Sequence, residues 1–226
     1  MPKHIRLLPA IHLCCNHPRS SEVTSMEPNA HAPRSTTQTL LLSSGFGGLL
    51  FVAAFLLLGS FAHPYNPVRD TISALELTSL GLAQRLNFVI FGLLLVAFAF
   101  ALRTELHTGR GARLIPLFQF ISGIAVIGDG LFIHDPLHLI YDLIAFNATL
   151  VFLLLFAWRF WPDARWKSWA YYSIATALLM MAFLTAFGLA NHPGGGPAGV
   201  MEKLATVTRT LWSVLLTSKL LRGARL

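Results

Sequence analysis

The sequence predicts an all-α membrane protein: a bundle of six transmembrane helices behind a polar N-terminal tail. Three observations predict it. Of 226 residues, 54% are apolar and only 12% are charged, about half the roughly 25% charge of ordinary soluble domains. Mean hydropathy is +0.61. The apolar residues fall into six runs of near membrane-spanning length, and a helix needs about 20 such residues to cross the hydrocarbon core. A soluble enzyme, a disordered chain and a basic nucleic-acid-binding domain are excluded on these grounds. The runs do not alternate and are too long for strands, which excludes a barrel.

Residues 1–38 form the tail, rich in Ser, Pro, His and Thr and predicted to be disordered. Leu7–Leu13 is too short for a signal peptide and is broken by Pro9 and His12. Met26 is an alternative start. Cys14 and Cys15 are adjacent and offer neither a disulfide framework nor a metal site. The membrane domain spans 39–222, with helices expected at about 40–61, 86–102, 114–133, 137–157, 169–190 and 204–221. The last run is the weakest, because it carries Arg209 and Lys219.

Charge sets the expected topology. The tail, the loops after helices 2 and 4 and the C-terminus hold 13 of the 17 Lys and Arg residues. The net charge of +7 therefore reports orientation rather than an anionic partner. The positive-inside rule places both termini in the cytoplasm. Trp158, Trp161, Trp166 and Trp169 would form an aromatic belt at that face. The localisation expected is the cell (inner) membrane, with membrane lipids as partners and no nucleic acid.

Loops 1, 3 and 5 then share the extracytoplasmic face. They gather His63, His134, His138 and His192, and six of the ten acids lie in or near them. A candidate polar pocket follows, built from Asp70, Ser73, Glu76, Arg85, Asp129, His138, Asp142, Glu202 and Arg209. Asp129 lies within helix 3, where an ionisable group is costly unless paired, so Arg85 and Arg209 are its expected ion-pair partners. His138 and Asp142 are four apart and share a helix face. With His134 they make a candidate metal set, and zinc is the one cofactor suggested. Glu202 and Arg209, seven apart, share a face of helix 6. Asp135-Pro136 reads as a helix start, and Asp70 with Ser73 and Glu76 reads as the cap of a short interfacial helix over Thr71–Leu82. Gly194-Gly195-Gly196 reads as an ordinary turn. Gly45, Gly47, Gly48, Gly123 and Gly128 read as sites of close helix packing.

YNPVRDTISALEL followed by LAQRLNFVIFGLLLVAFAFAL resembles a signature of the membrane family named domain of unknown function 998. ISGIAVIGDGLFIHDPLH and GGGPAGVMEKLATVTRTLWSVLL resemble its third-helix and last segments. The resemblance covers about 45–222. It implies a small six-helix integral membrane protein of bacterial or archaeal type, and supplies no activity. It carries over recurring polar positions at Tyr65, Asp70, Ser73, Glu76, Asn87, Asp129, Asp135, Glu202 and Trp212.

The expected function is binding or handling of a lipid or small amphiphile in the extracytoplasmic pocket. One alternative is a metal-dependent hydrolase acting on a lipid, holding zinc through His138, Asp142, Asp129 and a loop histidine. Others are a carrier using Asp129 and Arg209 as relays, disfavoured by the lack of internal repeats, and a structural or accessory subunit.

Overall fold

The computed structural model describes residues 34–133, 136–191 and 196–226. Met26 and most of the polar tail lie outside the described residues, as do His134, Asp135 and 192–195.

Six long helices make the described fold, which contains no strand: α1 (Thr36–Phe61), α2 (Gly81–Glu105), α3 (Leu114–Leu131), α4 (Leu137–Phe160), α5 (Lys167–Ala190) and α6 (Ala198–Leu221). Most run a few residues past the apolar runs, because helical hydrogen bonding continues into the headgroup zone where polar side chains are hydrated. Residues 34–38, read as part of the tail, belong to the first helix and its cap. Ser35 accepts from the Gln38 amide at 3.2 Å, and the Gln38 side chain accepts from the Ser35 amide at 3.0 Å. This reciprocal box satisfies two free helix-start donors. α1 tightens briefly to a 3-10 turn over Ser44–Phe46.

Each helix packs on its neighbour in sequence, and α6 returns to α1, so the bundle closes into a ring. Small residues allow the closest approaches. At the α2–α3 crossing, a Cβ on Gly92 would sit 2.6 Å from the Gly123 carbonyl, and one on Gly123 would sit 2.9 Å from the Gly92 carbonyl. A Cβ on Gly48 would lie 2.7 Å from Thr210 Oγ1 of α6.

Two apolar clusters fill the ring. One surrounds Trp212, which stands edge-on to Phe152 and Phe156 at 5.2 and 5.0 Å and donates its indole N–H to Ser173 Oγ at 2.9 Å. The other contains Phe51, Phe55, Phe88 and Phe91 from α1 and α2. Outward-facing Leu57, Leu93, Leu154 and Leu178 are exposed, as lipid-facing side chains would be.

Five helices are long and apolar enough to cross a membrane. The protein is therefore an integral membrane protein. α6 is of similar length but carries Glu202, Lys203, Arg209 and Lys219, which makes it the least apolar of the six, as the sequence reading of the last run expected. Its polar side is sheltered: Glu202, Thr206, Thr210 and Thr217 are all buried.

Two local readings also change. The aromatic belt is reduced, since Trp158 and Trp161 are exposed but Trp166 is buried, with the Lys219 ammonium 4.0 Å from its ring centre. The interfacial helix of loop 1 is only a five-residue 3-10 helix, Ser73–Leu77, and Asp70 does not cap it. The Asp70 carboxylate instead accepts from the Asn66 amide at 2.6 Å, while Thr71 Oγ1 accepts from the Ala74 amide at 3.1 Å. A local turn took the carboxylate before a helix could.

Candidate functional site

Loop 1 is stitched to the start of α6. The Gly199 amide donates to Arg69 O at 3.0 Å, and the Lys203 ammonium donates to Asp70 O at 2.9 Å and Pro67 O at 3.1 Å. The Tyr65 hydroxyl donates to Thr71 O at 3.2 Å. Burial, with Glu202 and Asp70 nearby, raises the Tyr65 pKa above its ordinary value, so the phenol stays protonated.

Beneath this loop lies a narrow cavity of about 40 Å³, room for water or a small polar group. Its charged lining is Asp129 of α3, Asp142 of α4, and Glu202 and Arg209 of α6. Ser122, Thr149 and Thr206 add hydroxyls, and Phe51, Phe88 and Phe91 form an aromatic wall. Helices α1, α2, α3, α4 and α6 therefore contribute, α1 through Phe51.

The groups are held in distinct ways. Glu202 accepts from the Ile72 amide at 2.7 Å. The Arg209 guanidinium lies 5.4 Å from the Phe91 ring centre and donates to Ser122 Oγ at 3.4 Å. Ser122 and Thr149 are 3.0 Å apart. His138 Nε2 lies 3.7 Å from Asp142 Oδ2. Asp129, only 1% exposed, meets this pair, and one ligand-type atom from each of Asp129, His138 and Asp142 lies within 4.8 Å of the others.

Four of the nine predicted pocket residues line the cavity: Asp129, Asp142, Glu202 and Arg209. His138 joins through Asp142. Asp70 and Ser73 do not line it; they serve turns in loop 1, where Ser73 Oγ lies 3.1 Å from Thr71 Oγ1. Glu76 is buried in the 3-10 helix with neither carboxylate oxygen hydrogen-bonded, and burial together with the negative charge of Asp142 pushes its pKa up to about 8 against the pull of Arg85. Arg85 donates to Gly130 O at 3.2 Å at the end of α3, where a cation suits the exposed carbonyls. The expected ion pair of Asp129 with Arg85 or Arg209 is thus absent among the described residues, since each arginine is engaged elsewhere. His134 of the predicted metal set, and the Asp135 cap, fall outside the described residues.

Sequence reasoning missed Ser122, Thr149 and Thr206. Their signal was present: Ser122 is seven residues before Asp129, Thr149 seven after Asp142, and Thr206 lies between Glu202 and Arg209. Each helix thus carries a polar stripe two turns long on its inner face.

Fold and cavity together define a small helical integral membrane protein whose ionisable side chains converge inside the bundle. Residues 46–219 match the family model described as protein of unknown function (DUF998), and the chain belongs to that family. Among curated proteins and among solved structures, nothing matches the chain.

Proposed function

We propose that this protein binds the polar head of a lipid or small amphiphile in the cavity between its helices. It would do so in the cell (inner) membrane, with both termini in the cytoplasm and the cavity toward the opposite face. One observation supports this reading above the others. Three carboxylates, a guanidinium and three hydroxyls converge on a narrow space beside an aromatic wall, inside a bundle whose outer surface is apolar. Intramembrane ionisable groups are costly and commonly mark a ligand path. A headgroup satisfies them while its chain remains against the apolar exterior. An accessory subunit would need no such convergence.

The test is mass spectrometry of amphiphiles that co-purify with wild-type protein, Arg209→Gln and Glu202→Gln. A specific amphiphile retained by the wild type should fall about tenfold in at least one variant, a change worth 1.4 kcal/mol. An unchanged lipid profile in both folded variants would refute the reading.

A further inference from the structure

Acidic side chains outnumber basic ones in the cavity lining. Asp129, Asp142 and Glu202 face it with Arg209 as the one guanidinium in its lining. Glu202 is partly satisfied by the Ile72 amide, and Arg209 is engaged by Ser122 and Phe91. Among the groups around the cavity, two unpaired atoms lie close to Asp142. Asp129 Oδ1 and His138 Nδ1 are both buried without a hydrogen-bond partner, and Asp142 lies one turn along α4 from His138, its Oδ2 3.7 Å from His138 Nε2. Buried polar atoms of native proteins are nearly always paired, so two orphans beside a third ligand-type group point to a missing binding partner.

We propose that Asp129, His138 and Asp142 bind a divalent cation whose remaining coordination positions face the cavity. Their ligand atoms lie within 4.8 Å of one another. Ligands each about 2 Å from a common ion sit up to about 4 Å apart, so small side-chain rotations close the set. Two carboxylate oxygens and one imidazole nitrogen suit zinc or manganese. A bound cation would favour the ionised, ligating form of the acids it touches. The set differs from the His134, His138 and Asp142 set and matches the three non-loop ligands of the hydrolase alternative, Asp129 being brought from α3 to the start of α4. The inference deepens the amphiphile reading by giving a headgroup oxygen a cation to meet, yet the site itself stands on the geometry alone.

The experiment is elemental analysis of the full-length protein purified in detergent, for wild type, Asp129→Asn, His138→Ala and the control Asp163→Asn. Asp163 is paired with Arg165 in a loop far from the cavity in sequence. The expected result is about one equivalent of zinc or manganese in wild type and control, with at least about a tenfold loss in the two cavity variants. Chelation should lower the wild-type Tm, and zinc or manganese should restore it. If the variants fail to fold, this wild-type series alone decides. A wild type that binds no metal, and whose Tm is unmoved by chelator or by either ion, overturns the proposal. So does metal retained undiminished in both folded variants. An amphiphile without metal would sink the cation site and leave the function standing; metal without any amphiphile would do the reverse.

Discussion

Glu202 accepts the backbone N–H of Ile72 at 2.7 Å across 130 residues of chain. A carboxylate at the start of α6 thereby holds the loop that follows α1. The same carboxylate lines the cavity, so the lid and the lining share one side chain.

Replacing that acceptor should loosen the loop. Glu202→Ala leaves the buried Ile72 amide unpaired and is expected to cost about 1–3 kcal/mol. Glu202→Gln keeps a carbonyl acceptor and should cost less. Thermal unfolding in detergent compares the two. Faster proteolysis within 62–80 in the alanine variant would locate the loss.

At the opposite end, Arg34 grips Glu105 with two bonds, of 2.7 and 2.8 Å, and its side chain is only 8% exposed against 2% for Glu105. Arg34 also donates to Leu220 O and Ala224 O. Arg225 Nη1 lies 3.4 Å from Glu105 Oε1, so Arg34→Ala leaves the buried carboxylate with one longer contact and is expected to cost less than the ~3–5 kcal/mol of a fully unpaired buried charge. Adding Glu105→Gln should recover part of the loss, which a double-mutant cycle measures.

Stability should depend on Glu76. Its folded-state pKa of about 8 lies above the ordinary 4.5, so the folded protein holds the proton more tightly. The contribution is fully present below about pH 4.5 and is lost as pH rises through about 8. Tm measured from pH 5 to 9 should therefore decline toward the alkaline side. Glu76→Gln should flatten that decline, and an unchanged slope would refute the assignment.

The α2–α3 crossing should tolerate no side chain. Gly123→Val would force atoms into the Gly92 carbonyl and Val96, an overpacking expected to cost about 1–3 kcal/mol. Gly188→Ala is the control, since nothing lies within 4 Å of a Cβ there. Thermal shift in detergent separates them.

Much of this was readable from residue types. Apolar runs located all six helices, isolated acids in those runs marked Asp129 and Asp142 as unusual, and Glu202 stood out by its seven-residue spacing from Arg209. Glycine in α1 and α3 announced close packing. Other features were hidden for physical reasons. A hydroxyl such as Thr149 satisfies itself on the Ala145 carbonyl one turn back, at 2.9 Å, so its presence in a membrane helix signals nothing special. Partner choice was hidden too. Arg85 and Asp129 share the same end of the bundle, yet the free carbonyls at the end of α3 outcompeted the carboxylate for the guanidinium. Nor does sequence spacing reveal that Arg34, at the edge of the tail, closes on Glu105.

The polarity of α6 bears on how the protein is made. A charged side chain at the centre of a lone helix disfavours insertion by about 2.5–3.5 kcal/mol on translocon scales. α6 bears four charged residues within Ala198–Leu221 and follows the five apolar helices in chain order. The earlier helices can partition into lipid one at a time as they leave the ribosome. The sixth keeps Glu202, Thr206, Thr210 and Thr217 buried against its neighbours, so its place in the membrane depends on docking to them more than on partitioning alone.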